Sequence, residues 1–326
     1  MKNPITRRKS ARYFDYYNAD IKITNAKEID RINKLVIPPA WQDVQISSSK
    51  TAKIQATGRD KAGRQQSIYS PAFRANQEKL KFDKILRFAV ALPKLRIQIE
   101  KDLKRKRLSR EKVLGCIVKL IDQTYIRVGS EQYARDHKTY GITTLRSKHL
   151  QKESTTVSFD FIGKSGKEHH KTITDPELVR LIKQLDEIPG YEIFRYEDSK
   201  GAVHDLHAHD VNEYIKQYMG EEYTAKDFRT WGGTLLACSE VIADELDETA
   251  SQSARKKSVT AIIKKVAEQL GNTPSVARGS YVDPRVIAAY ESHHTIQKIR
   301  VAMKSMKPKK YMSIEEQCLL KMLSES

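Results

Sequence analysis

The spacing of apolar residues changes character close to Pro71. Before it, the short segments 43–46 and 54–57 alternate apolar and polar residues, and a turn after the second leads into a return strand at 65–69. Alternation with a period of two is typical of strands that bury one face, and glycines at both ends of 58–63 indicate a hairpin turn. We therefore predict a small, mostly antiparallel β domain over residues 1–80, with one helix near residues 26–35.

After Pro71 the apolar residues recur at helical spacing, in segments such as 77–110, 111–128 and 257–270. We expect Pro93 to break the first of these helices, and Gly271 to cap the last. One β-hairpin interrupts the helices, with strands at 156–161 and 168–173 and a basic turn between them. The pattern predicts an α+β protein whose residues 81–326 form a larger, mainly helical domain.

The balance of charge indicates a polyanionic partner. Lys and Arg outnumber Asp and Glu by 59 to 41, for a net charge of +18. An excess of this size favours nucleic acid first and an acidic membrane surface second, against a merely lysine-rich soluble surface. The basic segment 1–9 could be a flexible arm that touches DNA.

Targeting and redox signals point to the cytoplasm. The chain has no run of roughly 20 apolar residues that would span a bilayer, and no apolar segment follows the basic N-terminus as in a secretory signal. Three scattered cysteines, Cys116, Cys238 and Cys318, fit reduced thiols without zinc-ligand spacing. We expect a cytoplasmic protein with no membrane partner.

The segment 271–281 ends in a tyrosine that is a candidate nucleophile. Thr273-Pro274 is a helix-starting pair, and Tyr281 lies at the end of the short helix that it begins. A phenol has a pKa near 10 and attacks poorly unless nearby cations stabilise the phenolate. The chain has 15 tyrosines, and a single tyrosine is more often a packing residue than a nucleophile. Tyr281 is therefore a candidate nucleophile only if arginines lie near it.

Two arginines in separate motifs supply such cations. Arg127 lies in Ile-Arg-Val-Gly and Arg229 in Lys-Asp-Phe-Arg-Thr-Trp-Gly. Guanidinium groups stay protonated and donate in a planar fork to phosphate oxygens, where charge gathers during phosphodiester cleavage. A tyrosine and two arginines are the residue types that can break a phosphodiester without water or metal. Each arginine alone is better explained by a surface salt bridge.

A lysine in the basic hairpin turn can protonate the leaving 5′-oxygen. Lys164 is the candidate, and Lys167 is the rival three residues later in the same turn. A turn kept soluble by its lysines is the alternative explanation.

The histidines do not form a convincing metal site. His204, His207 and His209 are spaced i, i+3, i+5, which does not place three ligands on one helical face. His169 and His170 follow one another on the return strand of the hairpin, so they point to opposite faces. We predict no metal and no cofactor.

Several ordered motifs together resemble one family, the type IB DNA topoisomerases of the poxvirus-like and bacterial branch. The resemblance covers nearly the whole chain. It rests on residues 37–44, 54–66, 127–129, 161–164, 226–232 and 271–281. It implies a small N-terminal β domain and a larger helical catalytic domain that close as a clamp around duplex DNA.

The resemblance also implies the functional residues. Five would be catalytic, with Tyr281 as nucleophile: Arg127, Lys164, Arg229, Asn272 and Tyr281. The expected DNA contacts are Arg59, Arg64, Gln66, Tyr69, Tyr133, Lys167 and Lys226. The family usually has histidine where Asn272 stands, and asparagine can donate only a neutral hydrogen bond to a phosphate oxygen. Ser67 replaces an aromatic residue of the viral members, so a viral-type sequence preference does not follow.

The implied activity is relaxation of supercoiled DNA. Tyr281 would form a 3′-phosphotyrosyl link, the nicked strand would swivel, and the free 5′-hydroxyl would reseal it without ATP. A monomer associated with the nucleoid is expected. Two alternatives stay open: a tyrosine recombinase, although Lys226 stands where the recombinase motif His-x-x-Arg has histidine, and a non-catalytic architectural DNA-binding protein.

Overall fold

The computed structural model describes residues 3–10, 13–245, 250–292 and 294–325. Its contacts divide the chain into an N-terminal region, Met1–Lys81, and a C-terminal region, Phe82–Ser326. Each region has a hydrophobic core of its own. The predicted α+β class is confirmed, with an antiparallel sheet in the first region and mainly helices in the second. No helix in the described ranges is long and apolar enough to cross a membrane.

The N-terminal region is an antiparallel sheet with one helix. Its elements are β1 (Ile5–Lys9), β2 (Phe14–Asn18), β3 (Ile21–Lys22), α1 (Ala26–Asn33), β4 (Gln42–Ile46), β5 (Ile54–Arg59) and β6 (Gln65–Tyr69). The strand order is β3-β2-β1-β4-β5-β6. The apolar face of the sheet packs on α1 around Ile32 and Ile46, both almost fully buried.

The expectation of a flexible arm at the N-terminus is wrong for residues 5–9. They form β1, which pairs with β2 along its length and with β4 at Ile5 and Thr6. Ile5 is buried in the core while the following basic residues are more exposed. With a single apolar residue, the segment carries no alternation from which its strand could be predicted.

The C-terminal region is mainly helical, with a three-stranded sheet β7-β8-β9 and a small hairpin β10-β11. Its elements, counting the helix that leads into it, are α2 (Pro71–Leu103), α3 (Arg110–Thr124), α4 (Glu131–His137), β7 (Leu150–Lys152), β8 (Val157–Ile162), β9 (Glu168–Ile173), α5 (Pro176–Asp186), β10 (Arg195–Glu197), β11 (Val203–Asp205), α6 (Ala208–Met219), α7 (Ala225–Ala243), α8 (Gln252–Leu270), α9 (Pro274–Ser280), α10 (Pro284–Glu291), α11 (His294–Ser305) and α12 (Ile314–Ser324).

The predicted break at Pro93 is wrong, because α2 continues through it. Proline removes one backbone hydrogen bond, but its neighbours Leu92 and Leu95 are buried in the core, and this packing holds the helix together across the defect. The amphipathic end of the chain also joins the core. Trp231 in α7 donates a hydrogen bond to Glu316 in α12 (3.3 Å), and Leu319 is fully buried.

Candidate active site

Helix α7 presents Arg229 to the interior of the C-terminal region. Arg229 is only 3% exposed, and its guanidinium donates to the carbonyl oxygens of Tyr125 and Leu270, the latter at 2.8 Å. Tyr125 caps α3 in the left-handed conformation, and Leu270 is the last residue of α8. Both acceptors therefore belong to the C-terminal ends of helices, where carbonyl groups lack intrahelical partners and attract cations.

The same helix also holds the backbone of Tyr281. One turn after Arg229, a Cβ atom on Gly233 would lie 2.7 Å from the Tyr281 carbonyl oxygen, so only glycine allows this approach. The Thr234 hydroxyl donates to that oxygen at 3.1 Å. Residues four apart share a helix face, and the face that carries Arg229 therefore also positions the tyrosine.

The Tyr281 ring lies against the Arg229 guanidinium. The guanidinium carbon is 5.0 Å from the ring centroid, within cation–π range. Burial raises the pKa of Tyr281, but the positive charges of Arg229, Arg127 and Lys226 lower it, and the net pKa is below the ordinary value of a phenol. Burial and the charge of Arg127 lower the pKa of Arg229 to about 10, so it stays protonated at neutral pH.

Asn272 links the second arginine to the end of α8. Gly271 caps that helix in the left-handed conformation, and the Asn272 backbone N–H donates to the Ala267 carbonyl at 2.8 Å. The Asn272 Oδ1 atom then accepts a hydrogen bond of 2.6 Å from Arg127. The helix cap thereby turns the asparagine side chain toward the arginines.

Two donors at this site have no partner among the residues that the structure describes. The Arg229 Nε and Asn272 Nδ2 atoms are buried, and within the described residues neither donates a hydrogen bond. Buried donors without an acceptor are costly, and at a functional site they are explained by a ligand that supplies one. An anion with several acceptor oxygens, such as a phosphodiester, fits two such donors beside protonated guanidinium groups.

The structure therefore brings together four of the five predicted catalytic residues: Arg127, Arg229, Asn272 and Tyr281. Lys226, at the exposed start of α7, acts on the same phenol through its charge. These residues come from three segments that are far apart in the sequence, so the cluster is a product of tertiary packing.

Lys164 and Lys167 lie apart from this hydrogen-bonded set, at the turn between β8 and β9. Both are exposed, and in the described part of the chain neither ammonium forms a hydrogen bond or an ion pair. The two lysines are both exposed in the same turn, so its geometry is compatible with either as proton donor.

The predicted DNA contacts of the N-terminal region share one hairpin. Asp60 accepts hydrogen bonds from Arg64 (3.0 Å) and Gln66 (3.1 Å), and Arg59 donates to the turn carbonyl of Gly63. Tyr69 ends β6 and is 39% exposed. In the C-terminal region, Tyr133 lies on α4 and is also partly exposed.

His204 and His207, which the sequence did not favour as metal ligands, contact different carboxylates. His204 contacts Asp198 and His207 contacts Glu131. Among the described residues no group of His, Cys, Asp and Glu side chains could hold a metal ion.

Three features of the site could not be predicted from the sequence: two backbone carbonyl groups that accept hydrogen bonds and one buried histidine ring. The carbonyls of Tyr125 and Leu270 orient Arg229, and no sequence pattern marks a carbonyl acceptor. His169 is buried against Gly271. The sequence predicted only that His169 and His170 point to opposite faces of the strand, and it did not predict this contact. That alternation is confirmed: His169 faces the interior, and His170 is exposed and contacts Asp160.

Comparison with known proteins gives two family matches. The model for the catalytic core of eukaryotic DNA topoisomerase I matches residues 70–310, and the model for the N-terminal domain of bacterial DNA topoisomerase IB matches residues 13–60.

Individual relatives agree with these matches. DNA topoisomerase 1B of Acanthamoeba polyphaga mimivirus is 33% identical over 295 residues, covering 89% of this chain and 88% of the relative. DNA topoisomerase 1B of Vaccinia virus (strain Copenhagen) is 22% identical over 231 residues, covering 71% of this chain and 70% of the relative. DNA topoisomerase 1 of Mycosarcoma maydis is 28% identical over 181 residues, covering 50% of this chain and 18% of the relative.

Proposed function

The chain belongs to the type IB DNA topoisomerases, and from this premise we propose that it relaxes supercoiled duplex DNA through a transient 3′-phosphotyrosyl link to Tyr281. The observation that carries the proposal is the contact of the Tyr281 ring with the buried Arg229 guanidinium, beside two donors that lack an acceptor in the described part of the chain.

The cleavage step follows from these groups. The phenol gives up its proton to solvent, and its oxygen forms a bond to phosphorus as the bond from phosphorus to the 5′-oxygen breaks. Arg127, Arg229 and Asn272 donate hydrogen bonds to the non-bridging oxygens, where charge accumulates in the transition state. Lys164 gives a proton to the departing 5′-oxygen, which leaves as a hydroxyl.

Relaxation requires no further energy source. The phosphotyrosyl ester conserves the energy of the phosphodiester, so the 5′-hydroxyl can attack it and restore the strand after the free end has rotated. We propose that the reaction uses neither ATP nor a metal ion.

Phosphate contacts outside the active site would hold the duplex. The family implies DNA binding, and the net charge of +18 supports a large electrostatic share of the affinity. We propose that Arg59, Arg64, Gln66, Tyr69 and Tyr133 add contacts, that both regions engage the duplex as a clamp, and that the protein acts as a monomer on the nucleoid in the cytoplasm.

The test uses a negatively supercoiled plasmid in the presence of a metal chelator and without ATP. We expect a ladder of relaxed topoisomers, and a denaturant added during the reaction should trap a covalent adduct. DNA labelled at one end or the other then identifies the attached end, which we expect to be the 3′-phosphate. Recombinant products from a plasmid that carries two copies of its preferred site would instead support a tyrosine recombinase.

Tyr281→Phe is the decisive variant. It removes only the nucleophilic oxygen, so adduct formation and relaxation should fall by at least roughly 10⁴-fold while DNA binding in a gel shift persists. Tyr191→Phe is the matched control, because Tyr191 is 79% exposed. Relaxation by the Tyr281→Phe protein would refute the proposed nucleophile, and a wild-type protein that binds DNA without forming an adduct would support the architectural alternative.

A further inference from the structure

The His169 ring lies between two glycines that immediately precede proposed active-site residues. A Cβ atom on Gly163, the residue before Lys164, would lie 2.7 Å from the ring's Nε2 atom. A Cβ atom on Gly271, the residue before Asn272, would lie 2.5 Å from the same nitrogen. One edge of the imidazole therefore lies close against the backbone at both places.

The ring itself is held firmly. His169 is 8% exposed and stacks on Phe161, its partner across the β8–β9 pair, with ring centroids 4.9 Å apart and planes inclined by 6°. The turn that carries Lys164 closes between the same two strands, where the Gly163 N–H donates to the Lys167 carbonyl at 2.7 Å.

A second contact from the same strand face strengthens this docking. Lys171, two residues after His169 and on the same face of β9, donates to the Gln269 carbonyl at 2.8 Å. The next carbonyl, that of Leu270, accepts from Arg229. The C-terminal end of α8 thus holds the hairpin through one carbonyl and the arginine through the next.

The imidazole is not suited to carry charge here. Burial, with the positive charges of Lys171, Arg127 and Arg229, lowers the pKa of His169 to about 4, so the ring is neutral at neutral pH. A neutral ring packed between two glycine backbones contributes its volume and its rigidity. The exposed Lys164 forms no hydrogen bond or ion pair within the described residues, so its position depends on the turn that carries it.

We propose that His169 is a positioning residue, which holds the turn carrying Lys164 at the separation from Asn272 and the arginines that proton delivery to the 5′-oxygen requires. The proposal rests on the proposed function, and it assigns to His169 no contact with DNA and no proton transfer of its own. Loss of the ring should let the turn shift, and small displacements of a catalytic group cost up to about a hundredfold in rate.

The test measures single-turnover cleavage of two duplexes that differ at one atom. The first has the natural 5′-oxygen at the cleaved bond, and the second has sulfur there. A thiolate leaves without being protonated, so the sulfur substrate does not need the lysine. We expect His169→Ala to cleave the oxygen substrate about ten- to a hundredfold more slowly than wild type. Its rate on the sulfur substrate should stay within about threefold, since the arginine and tyrosine groups are untouched.

His170→Ala is the matched control. His170 is the next residue, points to the exposed face, and contacts Asp160 and Thr172. It should cleave both substrates at the wild-type rate. His169→Gln should recover part of the lost rate, because glutamine is neutral and close to histidine in volume.

A variant at the other side of the contact covers the case in which His169→Ala does not fold. Gly163 has ordinary extended backbone angles (φ −94°, ψ −167°), so Gly163→Ala pushes the ring without straining the chain. It should show the same selective loss on the oxygen substrate. Equal slowing on both substrates, or no slowing on either, would overturn the proposal. If the wild-type protein formed no adduct with either substrate, the proposed function itself would fail.

Discussion

The two halves of the proposed active site are built in opposite ways. Arg229 is buried, bonded to two helix-end carbonyls and packed on the tyrosine ring, whereas Lys164 is exposed on a hairpin turn with no hydrogen bond or ion pair among the described residues. The groups that we propose to stabilise charge are therefore in place before DNA binds. The position of Lys164, the proposed proton donor, depends instead on how the hairpin is held. Preorganised cations are the larger contribution to catalysis in such a site, and we expect substitutions to reflect this order.

Arg229→Lys should have the largest effect of the substitutions that spare the nucleophile. Lysine keeps a positive charge but cannot bond both carbonyls and also direct a planar donor at the phosphate. We expect single-turnover cleavage to slow by roughly a hundred- to a thousandfold. Arg278→Lys, in the exposed part of α9 one turn before Tyr281, is the control and should leave the rate unchanged. An Arg229→Lys protein that cleaves normally would mean that the buried half does not carry the chemistry.

Lys164→Ala should slow cleavage of natural DNA by about a hundredfold, at the lower end for general acids, because water can reach an exposed site and supply a proton. Lys167→Ala separates the two candidate donors and should have little effect on the chemical step. The sulfur-containing duplex should be cleaved by both variants at nearly the wild-type rate. A selective loss in Lys167→Ala would exchange the two assignments.

Asn272→Ala should slow cleavage by about tenfold. The substitution removes one neutral hydrogen bond to the phosphate and leaves Arg127 without its acceptor, and a single bond of this kind contributes about 1 kcal/mol. Asn272→His restores a donor and should stay within severalfold of wild type. If cleavage by Asn272→His acquired a new dependence on pH near 6 to 7, the histidine would be transferring a proton that asparagine cannot.

The last prediction concerns stability rather than rate, and it involves two buried histidines, one of them on the β8–β9 hairpin. Burial, with nearby positive charges, lowers the pKa of both His149 and His169 to about 4. At these two histidines the unfolded chain then binds more protons between pH 6.5 and 4, so their contribution to the free energy of unfolding is constant above about pH 6.5 and is lost as the pH drops toward 4. Each histidine contributes on the order of 1–2 kcal/mol of this loss at pH 5.

Denaturant unfolding of wild type and His169→Phe at pH 7 and pH 5 measures that contribution. The variant should lose less stability than wild type on acidification, and His170→Phe should behave like wild type. An identical loss in wild type and His169→Phe would show that the buried imidazole does not govern this pH range.

The kinds of elements could be predicted from local pattern, and the exceptions have physical causes. Strands β4 and β8 have clear alternation, and Gly271 caps α8 as predicted. Strand β1 has too few apolar residues to show a period, and α2 passes Pro93 because tertiary packing outweighs one lost hydrogen bond. Local propensity is a weak constraint wherever a segment is buried by the rest of the fold.

The sequence alone determined which chemistry is available, because phenol, guanidinium, ammonium and carboxamide groups keep their reactivity wherever they stand in the chain. It also determined the periods that specify helices and strands, since these depend on neighbours a few residues apart. Tertiary structure alone decided the contacts that orient Arg229, whose acceptors lie 104 and 41 residues away, and that join Arg127 to Asn272 across 145 residues. Contacts at such separations depend on how whole helices pack, which is also why a histidine on a hairpin strand lies between the two glycines that precede Lys164 and Asn272.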